Sequence, residues 1–339
     1  MNLRCKTFVM TKIAVGVLTW VVVSCASTNV QDTTRALMDG NSAALRGDFS
    51  VAATAYETAL KISPTNSAAK RNLGIVLVKK GNFKKARQML TEVQDEYKND
   101  PEVYYFLGEA CRGTSDYKAA LSYYQKSARI NSNDLRVQKA MAWSYFRVGV
   151  VEKAFHEAQK LHRANSDDLQ VKLILASILN KKKKYEEVQA LLARVEKTKF
   201  NVQSRDKVSA ETEKTLLMNA LAESYVGSDN CAKATPLYQE ILRARPFLSS
   251  ALIGTAKCDL KVNQKARAIS KLERATKSDP EAEEAYFMLG QLYEPSNKAK
   301  ATYYYRRFLL LAKDNPFFVS ESRITRSNLS NLQKSRSRR

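Results

Sequence analysis

The chain has 339 residues, 44% of them hydrophobic, with 11 Gly, 7 Pro and a net charge of +22. That apolar content excludes a disordered chain, and so little Gly and Pro excludes a turn-rich sheet protein in favour of long helices joined by short turns. The positive charge selects polyanions as partners: nucleic acid, lipid headgroups, cell-wall polymers or an acidic protein.

Residues 1–12 carry Arg4, Lys6 and Lys12 and no acid, and Ile13 to Val23 follow without a charge. A basic start and a short apolar run make a secretory signal, too short to span a bilayer as a helix. Met10 begins an equally sufficient signal. The run closes in Val22-Val23-Ser24-Cys25, which resembles the bacterial lipobox. The resemblance implies that residues 1–24 are a signal peptide, that Cys25 receives a diacylglyceryl thioether, and that 25–32 form a lipidated tether. The competing reading is an ordinary signal cleaved nearby, with Cys25 incidental. Ala26 in place of Asp implies, by the rule of enteric lipoproteins, an outer-membrane location facing the periplasm. Loss of residues 1–25 leaves +19, and export removes nucleic acid from the expected partners. Anionic lipid or cell-wall polymer remains.

From residue 33 a period of 34 governs the chain. Ala52, Ala86, Ala120 and Ala154 are spaced by 34, and Val188 continues the series. Three residues before each stands Phe49, Phe83, Tyr117, Val151 or Tyr185. A tiny residue recurs upstream in step: Gly40, Gly74, Gly108, Ala142 and Ala176. A fixed period of this size signals stacked helical pairs, each too small to bury its apolar face alone. The pattern resembles the tetratricopeptide repeat. That resemblance implies an all-α, right-handed α-solenoid of about eight helix-turn-helix units. Five units fill 33–202. A polar stretch, 203–214, breaks the register as an insertion or as an extension of the flanking helices. Units six to eight fill 215–315, with Cys231 and Lys265 where the aromatic belongs. Residues 316–339 read as a short capping helix and a disordered basic tail.

No catalytic constellation stands out. His156-Glu157 opens like a zinc-protease motif, but His162 lies on a different helix face. No metal, cofactor or enzymatic activity is expected. Cys111 reads as a small core residue. Cys231 and Cys258 fall at places that pack together in a stacked array, as a disulfide or as two buried thiols.

The resemblance also implies where a partner binds. First helices of such repeats line a groove, into which unit two would send Arg71, unit three Tyr105, Glu109 and Arg112, unit four Arg136, Lys139, Trp143 and Phe146, and unit five Asn180. Aromatics framed by cations suit a protein or peptide ligand. The alternative is that Trp143 and Phe146 pack against the next repeat and stiffen the array. Lys181 to Lys184 read as a solvated turn or a contact for anionic lipid or polymer. The chain resembles the repeat lipoproteins that support pilus or secretion machinery, including pilotins and the Tad/Flp pilus assembly lipoproteins. The expectation is a membrane-anchored scaffold for an envelope machine, with an adaptor for peptidoglycan enzymes or a glycan-binding protein as the rival.

Overall fold

The computed structural model describes residues 21–193 and 207–337, which form helices and turns and, among the described residues, no strand. They fall into two units, divided after Asn131. The first holds α1 (Val21–Leu45), α2 (Phe49–Ile62), α3 (Ser67–Lys79), α4 (Phe83–Val93), α5 (Pro101–Gly113) and α6 (Tyr117–Ile130). The second holds α7 (Leu135–Arg147), α8 (Val151–Ala164), α9 (Leu169–Lys181), α10 (Tyr185–Leu192), α11 (Lys207–Gly227) and α12 (Cys231–Ala244). It continues with α13 (Ser249–Lys261), α14 (Lys265–Ser278), α15 (Glu283–Tyr293), α16 (Lys298–Leu311), two 3-10 turns (Ala312–Asp314, Pro316–Phe318) and α17 (Val319–Ser337). Odd and even helices up to α16 pair as eight hairpins. Phe49, Phe83, Tyr117, Val151 and Tyr185 each open a second helix.

Three devices recur with the period. The alanines of the series, Ala52, Ala86, Ala120 and Ala154, are fully buried, where two helix backbones approach. The turns close by a bond from the third residue past the helix back into its last turn: Asp48 N–H to Ala43, Asn82 N–H to Leu77, Asp116 N–H to Cys111, Val150 N–H to Tyr145, each 2.9 Å. Such a turn needs one left-handed residue. It is Gly47, Gly81 or Gly149 in three repeats, and Ser115, Lys183, Asp229 or Asn263 in four more. Third, the first helices of repeats two to five are capped by Asn66, Asp100, Asp134 and Asp168, whose side chains accept backbone N–H groups of the first turn. Leu248 and Ala282 occupy the cap positions of α13 and α15 and supply no such bond.

The structure departs from the expected boundaries at both ends. Residues 25–32, expected as a loose tether, lie within α1; no Gly or Pro interrupts that stretch, and Thr33 Oγ1 donates to the Asn29 carbonyl at 2.8 Å. At the other end, α17 runs well beyond the expected short cap, and the basic residues up to Ser337 are helical. Leu332 is drawn against Ala301 and Tyr305, and Asn328 donates to Glu294 and to Tyr305 Oη, so the last repeat has a partner for its open face. Of the expected insertion 203–214, residues 207–214 extend α11. Residues 203–206 and the signal segment 1–20 lie outside the described residues.

Candidate partner-binding faces

Within each unit the first helices of successive hairpins touch directly, α3 with α5, α7 with α9 and α11 with α13. Their exposed sides make one face across α3 and α5 in the first unit and one across α7, α9, α11 and α13 in the second. In the first unit, Arg71 on α3 is spent internally. It pairs with Asp100 Oδ2 at 2.6 Å and lies over the Tyr97 ring, while Asp100 Oδ1 caps α5. The cap aspartate thus ties one repeat to the next. Tyr105 on α5 packs its ring against Phe106 and Tyr124. Glu109 accepts from Tyr124 Oη at 2.6 Å and is gripped by both Arg112 nitrogens, at 3.1 and 2.6 Å. Burial, then the Glu109 carboxylate, drives the Tyr124 hydroxyl far above the usual phenol range. Arg112 remains 42% exposed as a charged edge beside Tyr105.

In the second unit, Arg136 turns back onto Asp134, the cap of its own helix. Lys139 repeats the geometry of Arg71: it donates to Asp168 Oδ2 at 3.0 Å while Oδ1 caps α9. Burial opposes ionisation of Asp168, but the Val171 N–H and Lys139 outweigh it and hold the carboxyl below its ordinary value. Asn180 Nδ2 donates to the Ala220 carbonyl at 2.8 Å, bridging α9 to α11, and its Oδ1 is buried without a partner. These three polar residues are therefore occupied by the chain itself.

The aromatics are different. Trp143 is half-buried and packs its ring, tilted by 50°, against Phe146 at 5.5 Å. Phe146 in turn meets the ring of Phe317, 5.0 Å away, from the turn after α16. Lys181 places its ammonium 4.6 Å from the same ring and donates to the Phe317 carbonyl at 3.3 Å. Burial and the neighbouring lysines 183 and 257 disfavour the charge on Lys181, while Glu321 and Glu284 support it; the balance lowers its pKa. Pro316 lies so close to Gly149 that a Cβ there would sit 2.8 Å from the proline ring. Lys181, Gly149 and Phe317 complete this face without any signal in the repeat pattern. A contact between residues 136 apart leaves no trace in a local period.

Deeper along the unit, Glu223 on α11 reaches solvent yet is hemmed in by protein. Desolvation first, and Glu284 second, raise its pKa against the pull of Lys257 and the Asn219 hydrogen bond. Lys257 pairs with Glu284 at 2.8 Å. Tyr238 leaves a buried hydroxyl without a partner. Cys231 at the start of α12 is disulfide-bonded to Cys258 on α13, with 5.6 Å between their Cα atoms. Cys111 is a buried free thiol. Of the lysine run, Lys182 pairs with Glu152 and lies over Phe155, and Lys184 pairs with Glu187 at 2.6 Å, so much of that charge is already answered. Among the described residues no three His, Cys, Asp or Glu side chains gather as a metal site, and no helix is long and apolar enough to cross a membrane.

Stacked hairpins presenting the faces of their first helices define a scaffold of the α-solenoid class, a typically non-enzymatic fold that mediates protein–protein interaction. The chain belongs to the tetratricopeptide repeat family: models of that description match residues 27–166 and 259–315, together more than half of its length. It is similar to RNA polymerase-associated protein CTR9 of Caenorhabditis elegans, 26% identical over 131 residues, covering 38% of this chain and 11% of that protein. It is also similar to cellulose synthase operon protein C of Pseudomonas fluorescens, 22% identical over 341 residues, covering 78% of this chain and 27% of the relative. The chain thus matches about a tenth to a quarter of the length of these relatives. A solved tetratricopeptide repeat protein from Parabacteroides merdae has the same fold, with a TM-score of 0.59 at 15% identity, covering 75% of this chain and 97% of that one.

Proposed function

We propose that the chain is an envelope scaffold, anchored through lipid on Cys25, that captures a protein segment on the first-helix faces and so assists assembly of a machine such as a pilus or secretion system. Proteins of this family bind peptide or protein partners in a groove. The observation that carries the reading here is the face of repeats four and five. It already holds a Pro-Phe 3-10 turn of the chain itself, by an aromatic platform of Trp143 and Phe146 and a lysine that grips a backbone carbonyl. Those are the elements of peptide recognition: apolar anchors for rings and a main-chain hydrogen bond. The lipobox-like Val22 to Cys25 supports the anchor. The match over 78% of the chain to a protein named for a cellulose synthase operon supports a place beside an envelope machine.

Two experiments test the parts separately. Trp143→Ala with Arg112→Ala should lose envelope partners in a cross-linked pull-down while circular dichroism shows an intact helical fold; undiminished recovery of the same partners would end the capture reading. Cys25→Ala should move the protein from the membrane to the soluble fraction, and unaltered fractionation would end the lipid anchor.

A further inference from the structure

We propose that Pro316-Phe317 is an intramolecular stand-in for the partner. It keeps the face of repeats four and five closed, and the partner that opens it presents a proline–aromatic pair in a single 3-10 turn. This rests on the capture reading above and specifies its ligand.

Four observations support it. The first is that the segment is held on a built site rather than merely lying nearby. The Phe317 ring meets Phe146 at a tilt of 40°, the Lys181 ammonium lies over the Phe317 ring, and the same ammonium bonds the residue's carbonyl. The second is Gly149. The equivalent glycines of other turns, Gly47 and Gly81, have open space where a Cβ would stand, whereas at Gly149 that space is taken by Pro316. The turn at repeat four is the one with a proline seated on it. The third is that the segment is preshaped. The Asn315 side chain accepts from the Phe317 N–H at 3.0 Å and donates to Glu283 at 3.1 Å, so little chain entropy is lost when the ring docks.

The fourth distinguishes a plug from a brace. The core of the last repeat is built without Phe317. It consists of Tyr286, Phe308 and Ala312, and the residue that joins it is the neighbour, Phe318, 5.6 Å from Phe308. Phe317 is half-buried and Pro316 exposed. One ring contact, one ammonium over the ring, one carbonyl bond and the seating of Pro316 against Gly149 hold the segment down, and an external segment with the same groups competes for those few contacts against the tethered one. A site closed by its own chain shows an apparent affinity reduced by the fraction of time it stands open.

The test uses a fluorescein-labelled peptide with the sequence of residues 313–323, and a second with Ala at the position of Phe317. Anisotropy is measured with the full chain and with its Phe317→Ala variant. The peptide should bind the variant at least tenfold more tightly than the unaltered chain, the factor expected if the face is closed nine-tenths of the time or more. The Ala peptide should bind neither. Phe317→Leu, which preserves most of the volume, carries the same comparison should the alanine variant fold poorly. Equal affinity for variant and unaltered chain, or binding to neither, overturns the plug. If that happens while the Trp143→Ala, Arg112→Ala protein still loses its envelope partners, the capture reading survives and only the plug falls.

Discussion

Gly108→Ala isolates the packing rule on which the stack is built. A Cβ at Gly108 would lie 2.6 Å from Cδ1 and 2.9 Å from Cζ of Tyr124, with Cε1 nearer still. The ring cannot swing aside cheaply. It is fully buried, and its hydroxyl is fixed to Glu109, which Arg112 grips from outside. Overpacking of this kind costs about 1–3 kcal/mol. Alanine's better helix propensity returns about 1 kcal/mol. The two oppose each other, and the rigidity of the Tyr124–Glu109–Arg112 network places the cost toward its upper end, so the variant should lose about 1–2 kcal/mol. Urea unfolding followed by circular dichroism reads this as a lower midpoint at unchanged slope. Repeat five suggests the rescue, since it carries Ala176 and Leu192 in the places of Gly108 and Tyr124. Adding Tyr124→Leu to Gly108→Ala should therefore cost less than the sum of the single changes by at least about 1 kcal/mol. A Gly108→Ala protein more stable than the parent by about 1 kcal/mol would mean that propensity alone governs the site, and the close-approach argument would be wrong.

Lys183 holds the left-handed position that glycine fills at 47, 81 and 149; Lys183→Gly should gain about 1 kcal/mol by removing that strain, seen as a higher urea midpoint, with no gain counting against it. Cys231 and Cys258 are 27 residues apart in sequence, and a loop of that size constrains the unfolded chain by about 3 kcal/mol; dithiothreitol should lower the melting temperature, and identical melts with and without it would contradict the structural role of the bond. Glu223→Gln should raise the melting temperature at pH 7.5 and leave it nearly unchanged at pH 4. The raised pKa means that the folded chain holds this proton to higher pH than the unfolded chain, so stability falls as pH rises through the folded value, and the neutral amide escapes that loss. A parallel shift at both pH values would refute the assignment.

The period of 34 was legible because each of the first five repeats solves one problem with the same three positions: a small residue where backbones meet, a large apolar one opening the second helix, and a tiny residue upstream in the first helix. An Asn or Asp recurs at 66, 100, 134 and 168 with the same period, and the structure makes each the cap of a first helix. Its second use was not legible. Nothing local says that Asp100 and Asp168 accept from Arg71 and Lys139 of the preceding repeat, so cations placed on an open groove by helical register are instead ties between repeats. The helix ends misled for a related reason. Sequences 25–32 and 332–337 carry polar residues that read as tether and tail, but neither contains a breaker. In both stretches the helix continues, and at the second Leu332 finds an apolar neighbour. The seating of Phe317 on Phe146 is a tertiary fact with no periodic signature at all.

The irregular back half follows the same rule by different chemistry. In repeat two, Phe83 opens the second helix and fills the space over Gly113, at the end of the next repeat's first helix. In repeat five, Tyr185 does the same over Gly227. The aromatic is thus a tie from one second helix to the following first helix, and glycine at its target is the space the ring requires. Repeat six lacks the aromatic: the opening residue of α12 is Cys231. Its sulfur reaches Cys258, on the first helix of repeat seven, one helical turn before the place where the ring's target would fall. The junction that loses the packing tie is joined by a covalent one between the same pair of elements. Degeneracy of the sequence pattern after residue 214 therefore does not measure loss of the joint, because the joint can change from a buried ring to a disulfide while the stacking of the helices stays the same.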